Sequence, residues 1–316
     1  MKPVTKLAII GDVHLYTLRI HLKRLLSRRV MAHTNLLMNR RHHFNHGLLP
    51  ELVQRVASLK PDLALFSGDV STSSLEHEFG DFLALFRPLV DAVPCVLVPG
   101  NHDRYTFGSR RVKRIETMLH EVMPDAFPHV RELRPGWKLL ALDSAIPNRV
   151  FSRGALGPSQ LAGAVEAIHA VGPDEAIMVL CHYPCSLPPG VHHTWSHDLK
   201  EAEPLKAALT ACRGRVVYVH GHIHKPWHAA VDPAGGMPAF ECLNAGAPCM
   251  TSPRWPRGQG FWEVDLPADP RGALVTRHHA PAEEPSAASP DGADGANHAP
   301  DEPLVDAAGW RVGAGP

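Results

Sequence analysis

"VVYVHGHIHK", residues 216–225, closes an apolar run with imidazoles at 220, 222 and 224 and a glycine after the first. A short apolar run ending in a turn residue predicts a buried strand. On extended backbone, side chains two apart point the same way. His222 and His224 are therefore expected to aim together at a cation, and Gly221 to let backbone come close. One histidine there would be unremarkable; three at period two ask for a chemical explanation.

Working outward, five more runs read alike: "KLAII" (6–10), "LALF" (63–66), "CVLV" (95–98), "KLLALD" (138–143) and "AIMVL" (176–180). Each suits a parallel strand covered on both faces. Between them, "LLPELVQRVASL", "LEHEFGDFLALFRPLV" and "PSQLAGAVEAIHAV" space apolar residues at three and four, as helices do. The later runs "AFECLNA", "GFWEVDL" and "ALVTRHH" should build a second sheet or an antiparallel flank. The alternation predicts an α/β layered domain.

The turns directly behind five of these strands carry the chemistry: "GDVH" (11–14), "SGDV" (67–70), "GNHD" (100–103), "CHYP" (181–184) and "GHIH" (221–224). The carboxyl ends of parallel strands open onto one crevice, so these residues are expected to converge. A donor set of carboxylate, amide and imidazole without thiolate suits manganese, iron or zinc more than structural zinc. Two ions sharing a carboxylate, about 3.5–4 Å apart, are the usual arrangement for phosphoryl chemistry. Any one of these motifs is ordinary turn chemistry; five in order, each behind a strand, are not.

Composition sets bounds. No run of apolar residues is long enough to span a bilayer, and the N-terminus lacks the features of a signal peptide. The six cysteines form no C-x-x-C pair, and several sit in apolar runs, which predicts reduced thiols and a cytoplasmic location. Net charge is zero, yet seven acids and one arginine lie beyond position 280, leaving residues 1–280 with 31 cations against 25 anions. That body suits an anionic substrate. Residues 281–316, rich in Pro, Ala, Gly and acid, are expected to be a disordered tail behind a catalytic domain over 1–280.

The five ordered blocks resemble the calcineurin-like metallophosphoesterase superfamily over about residues 6–265. The resemblance implies a four-layer αββα sandwich of two mixed sheets, with a pair of divalent metal ions at the ends of its central strands. Carried over by motif position, Asp12, His14 and His224 would bind one ion, and Asn101, His182 and His222 the other. Asp69 would bridge them, and His102 would be the catalytic residue facing the phosphoryl group. Two subfamilies fit poorly. Phosphoprotein phosphatases continue the second block with Asp-Arg-Gly, where this chain has "VSTSS"; purple acid phosphatases place a ligand tyrosine where it has Thr72. The broad phosphodiesterase-like group remains.

Substrate selection has two candidate regions. No acid occurs between Asp12 and Glu51, and the stretch about 17–47 reads as a basic amphipathic insertion. It would either contact an anionic membrane or a lipid-bearing substrate, or pack its leucines on the core. Its "KRLLSRRVMAHTNLLMNRRHHF" also resembles a segment of bacterial UDP-diacylglucosamine pyrophosphohydrolases, which implies a lipid A precursor as substrate at the inner face of the membrane. Arg40 and Arg41 are the candidate phosphate contacts. Cyclic nucleotides and other small phosphodiesters are the alternative, and a non-catalytic scaffold is the alternative of another class. Nucleic acid is disfavoured, because the insertion offers few aromatics and the tail is acidic. The second region, "PCSLPPGVHHTWSHDL" after His182, should stand over the crevice. Among His192, His193, Trp195 and His197 one direct substrate contact is expected, with His193 the candidate. His220 is expected to be a packed core residue, and Cys181 and Cys185 small buried ones.

Overall fold

A computed structural model describes residues 3–16, 43–148, 152–188, 191, 195–231, 240–255, 257–281, 304–305 and 311–312. In chain order the elements are β1 (Lys6–Ile10), α1 (Leu49–Ser58), β2 (Leu63–Phe66), α2 (Glu76–Val90), β3 (Cys95–Leu97), α3 (Phe107–Arg111) and α4 (Arg114–Met118). Next come β4 (His129–Arg134), β5 (Trp137–Leu142), α5 (Pro158–His169), β6 (Ala176–Cys181), α6 (Ala202–Thr210), β7 (Arg215–His220) and β8 (Trp227–Val231). The chain ends with β9 (Phe240–Asn244), β10 (Phe261–Asp265), β11 (Val275–His279) and a small antiparallel pair, Leu304–Val305 with Arg311–Val312.

Two mixed sheets form, in the orders β11-β10-β1-β2-β3 and β4-β5-β6-β7-β9-β8. β1, β2 and β3 run parallel, as do β5, β6, β7 and β9. The antiparallel strands sit on the flanks: β10 against β1 with β11 outside it, β4 against β5, and β8 against β9. Of the late strands, β10 and β11 form the expected antiparallel flank on the first sheet, whereas β9 joins the second sheet parallel to β7.

Strand periodicity explains the layering. Leu7 and Ile9 of β1, Leu63 and Leu65 of β2, Met178 and Leu180 of β6, and Val217 and Val219 of β7 fill one core between the sheets. Their neighbours face outward. Ala8, Ile10 and Phe66 meet Leu52, Val53 and Val56 of α1 and Phe79, Phe82 and Phe86 of α2. Ile177, Val179, Val216 and Tyr218 meet Ala164 and Ile168 of α5 and Leu205 and Leu209 of α6. Helices over two facing sheets make an αββα sandwich, whose inner strands are largely apolar because both faces are covered. No helix among the described residues is long and apolar enough to cross a membrane.

Candidate metal centre

The donors do not come from one sheet, as the crevice reading expected. Asp12, Asp69 and Asn101 follow β1, β2 and β3 of the first sheet; His182, His222 and His224 follow β6 and β7 of the second. Both sheets end at the same side of the sandwich, so the loops meet across the layer between them.

Nor is the backbone at these donors extended. His14, Asp69, His222 and His224 have φ of 51°, 52°, 69° and 55°, in the left-handed region. β7 stops at His220, and the period-two spacing beyond it serves a tight loop, not a strand. Left-handed non-glycine residues cost about 1–3 kcal/mol each and persist only where their surroundings dictate them. The dictating contacts are visible. Asp12 Oδ2 accepts the His222 N–H at 2.7 Å, and Asp69 Oδ1 accepts the His102 N–H at 2.7 Å. A Cβ on Gly221 would lie 2.3 Å from Asp12 Oδ1, and one on Gly100 2.1 Å from Asp69 Oδ1. Only glycine lets these loops pass so close to the carboxylates.

Donor atoms of Asp12, His14, Asp69 and His224 lie within 4.8 Å of one another, and so do those of Asp69, His182 and His222. The two groups share Asp69. Its Oδ2 is 3.6 Å from His14 Nε2 and 3.5 Å from His182 Nε2. Asp12 Oδ2 is 3.2 Å from His224 Nε2, which is itself 2.9 Å from His14 Nε2. Asn101 Oδ1 is 3.1 Å from His182 Nε2 and joins the second group. His222 and His224 therefore face different centres instead of aiming together.

The donor chemistry fits cations. His182 is fully buried, and that burial holds its pKa below the usual imidazole value against the pull of Asp12. Its Nδ1 can only donate to the Ser67 carbonyl at 2.8 Å, which leaves Nε2 as a bare lone pair. That lone pair faces the Asp69 carboxylate. Asp12 Oδ1, also buried, has no hydrogen-bond partner among the described residues. Acceptors turned toward one another in a dry site are costly unless a positive ion lies among them.

Further residues support the donors, and of these the parts played by Thr72 and Arg104 escaped the sequence reading. The Thr72 hydroxyl donates to the His14 carbonyl at 2.8 Å, and the Thr72 carbonyl accepts from His102 Nδ1 at 2.7 Å. Asp103, whose place behind "GNH" suggests a turn residue first and a loop brace second, braces two loops. It accepts from Gly100 N, Ser71 N and Ser71 Oγ, each at 2.9 Å, and burial raises its pKa to about 6. Arg104 is buried between Asp143 at 2.7 Å and Glu116 at 3.0 Å. The "VSTSS" run was the available signal: small hydroxyl residues behind a ligand can bond neighbouring backbone.

Aromatic rings wall the centre. Phe44 lies 5.2 Å from His14 and 5.8 Å from His224, Tyr183 lies 4.4 Å from His222, and Tyr105 stacks on His102 at 5.4 Å. His197 reaches to 6.0 Å from the His222 ring. His220 packs against Trp227 and belongs to neither donor group, in line with a core residue. Cys181 and Cys185 are buried, free thiols outside both groups. Arg40, Arg41 and His193 lie outside the described residues.

Comparison with known proteins agrees with this geometry. The family model of calcineurin-like phosphoesterases matches residues 5–226. A probable glycerophosphodiester phosphodiesterase, GpdQ, of Arcobacter nitrofigilis is 26% identical over 188 residues, covering 57% of this chain and 63%, less than two thirds, of that relative. A dimetal phosphatase from Danio rerio superposes with a TM-score of 0.55 at 14% identity, over 87% of this chain and 99% of its own. A purple acid phosphatase from yellow lupin seeds gives 0.58 at 13%, over 88% of this chain and 52% of its own. At such identities the structural likeness speaks for the fold alone. The family match spans most of the chain and contains every donor of both groups, so this protein belongs to the calcineurin-like phosphoesterases.

Proposed function

We propose that the protein hydrolyses a phosphodiester or pyrophosphate bond with two divalent cations, manganese first and iron or zinc as alternatives. Asp12, His14 and His224 hold one, Asn101, His182 and His222 the other, and Asp69 serves both. The observation that carries this is Asp69 Oδ2, which stands at nearly equal distance from an imidazole of each group. When bound, such a pair supplies an activated water and neutralises charge on the phosphoryl oxygens. The protein's own part is positional. Ser67 fixes the tautomer of His182, and Asp12 and Asp69 each tie down a loop by accepting a backbone N–H. His102, anchored at Nδ1 on the Thr72 carbonyl and edge-on to His14 at 4.8 Å, in its imidazolium form donates a hydrogen bond or a proton from Nε2 to the leaving oxygen and is left as the neutral ring.

A diester or pyrophosphate is favoured over a monoester by the curated relative's name and by Thr72 standing where purple acid phosphatases carry tyrosine. The finer reading is a lipid-bearing substrate such as UDP-diacylglucosamine, met at the inner face of the membrane. It is supported by the one-sided basic charge of residues 17–47. Metal-reconstituted protein assayed against bis-p-nitrophenyl phosphate, a cyclic nucleotide and UDP-diacylglucosamine tests both levels. Cleavage of the third in detergent supports the lipid reading, and cleavage of cyclic nucleotide alone removes it. No turnover of any of the three with metals bound would leave a scaffold on this fold.

A further inference from the structure

We infer that the surface formed by residues 107–113, beside the metal centre, docks on an anionic lipid bilayer. The inference rests on the proposed reaction only in that it places the mouth of that site against the membrane. Helix α3 and the turn after it read "FGSRRVK", and the stretch from Tyr105 to Ile115 contains no acid. Phe107 is 57% exposed and Val112 54%, two of the few large apolar side chains that face solvent among the described residues. Arg110, Arg111 and Lys113 are exposed, and none of the three has an ion pair among the described residues. Arg114, the fourth cation, is spent on Glu76 and the Ser74 carbonyl, so it holds the stretch in place.

The surface is continuous with the site. Its chain leaves His102, passes Tyr105, which stacks on that histidine, and reaches Phe107 two residues later. Arg110 bonds the Ala145 carbonyl, and Ser144 beside it accepts from Ala155. From there the rim continues to Arg153, whose guanidinium lies 5.7 Å over the exposed ring of Trp195. Apolar tips among exposed cations around the mouth of a phosphoester site complement an anionic lipid surface: the cations meet headgroups and the apolar tips enter the acyl boundary. Single-stranded nucleic acid fits less well. Val112 offers a base no stacking face, whereas an acyl chain accepts it.

The test uses the full chain with metals bound and vesicles of phosphatidylcholine, with and without phosphatidylglycerol. Wild-type protein should sediment with the anionic vesicles and not with the neutral ones. The pair Arg111→Gln and Lys113→Gln should weaken partitioning roughly 25-fold, and Phe107→Ser with Val112→Ser at least about tenfold. Both pairs should hydrolyse bis-p-nitrophenyl phosphate as wild type does, which separates loss of docking from loss of the reaction. Hydrogen exchange on unmutated protein gives a second reading: anionic vesicles should protect amides within 106–113. Failure of wild type to bind anionic vesicles, binding that survives both pairs unchanged, or no protection over 106–113 would overturn the inference. Retention on single-stranded DNA without vesicle binding would overturn it in favour of a polynucleotide.

Discussion

Asp69 Oδ2 lies 3.5 Å from Nε2 of His182, though one residue follows a strand of the first sheet and the other a strand of the second. The same oxygen is 3.6 Å from His14 Nε2. A carboxylate so placed is the hinge between the two donor groups. Asp69→Asn keeps the size and removes the charge. Turnover by metal-reconstituted protein should fall at least ~10²-fold, the scale for losing one preorganised electrostatic contact. Metal analysis should show fewer than two ions per chain.

In the proposed reaction His102 would deliver a proton without holding a metal ion. Its ring is fixed by Thr72 and stacked on Tyr105, and it belongs to neither donor group. His102→Ala should keep both ions by elemental analysis and lose roughly 10²–10⁴ in kcat toward diesters with poor leaving groups. Toward p-nitrophenolate, which leaves without a proton, the loss should be much smaller.

Gly221 carries the close approach. A methyl group there would meet Asp12 Oδ1 at 2.3 Å and Ser67 Oγ at 2.7 Å, both on fully buried residues. Gly221→Ala should leave the far-ultraviolet circular dichroism spectrum intact and reduce metal affinity roughly 10–100-fold, the range seen when a ligand's support is disturbed. Calorimetric titration with Mn²⁺ reads it directly.

These sites show how far the chain could be read before folding. The inner strands were legible because a strand covered on both faces must be apolar along its length, as "KLAII" and "AIMVL" are. β4, "HVRELR", was not: it flanks the second sheet with mostly half-exposed charged residues and resembles a loop in composition. The donors were legible because each stands just past an apolar run. That they straddle two sheets was not, since pairing such as Lys6 with Asp265 joins residues far apart in sequence. Nor did composition signal the left-handed φ of His14 and His224, because it is tertiary hydrogen bonds, from Thr72 Oγ1 to the His14 carbonyl and from Gln259 Nε2 to the His224 carbonyl, that select it.

His278 should set an acid limit on stability. It packs at 4.7 Å from Trp262 and 5.3 Å from Trp255, and burial, helped by His279 and Arg254, lowers its pKa to about 4. In the unfolded chain the ring takes up a proton near pH 6.5; in the folded protein it resists until about 4. Folding is therefore favoured fully above pH 6.5 and loses stability as pH falls from there toward 4, by at most about 3 kcal/mol. His278→Phe keeps the ring contacts and removes the titration. Urea unfolding at pH 7 and pH 4.5 should show a smaller acid loss in the variant than in wild type.

Electron paramagnetic resonance of the Mn²⁺-loaded protein bears most directly on the shared carboxylate. Two ions per chain joined through Asp69 should give the multiline signal of an exchange-coupled pair, and Asp69→Asn should replace it with that of isolated Mn²⁺. A wild-type spectrum showing only isolated ions at saturating metal, or full turnover by chelated, metal-free protein, would contradict a dinuclear centre built on that residue.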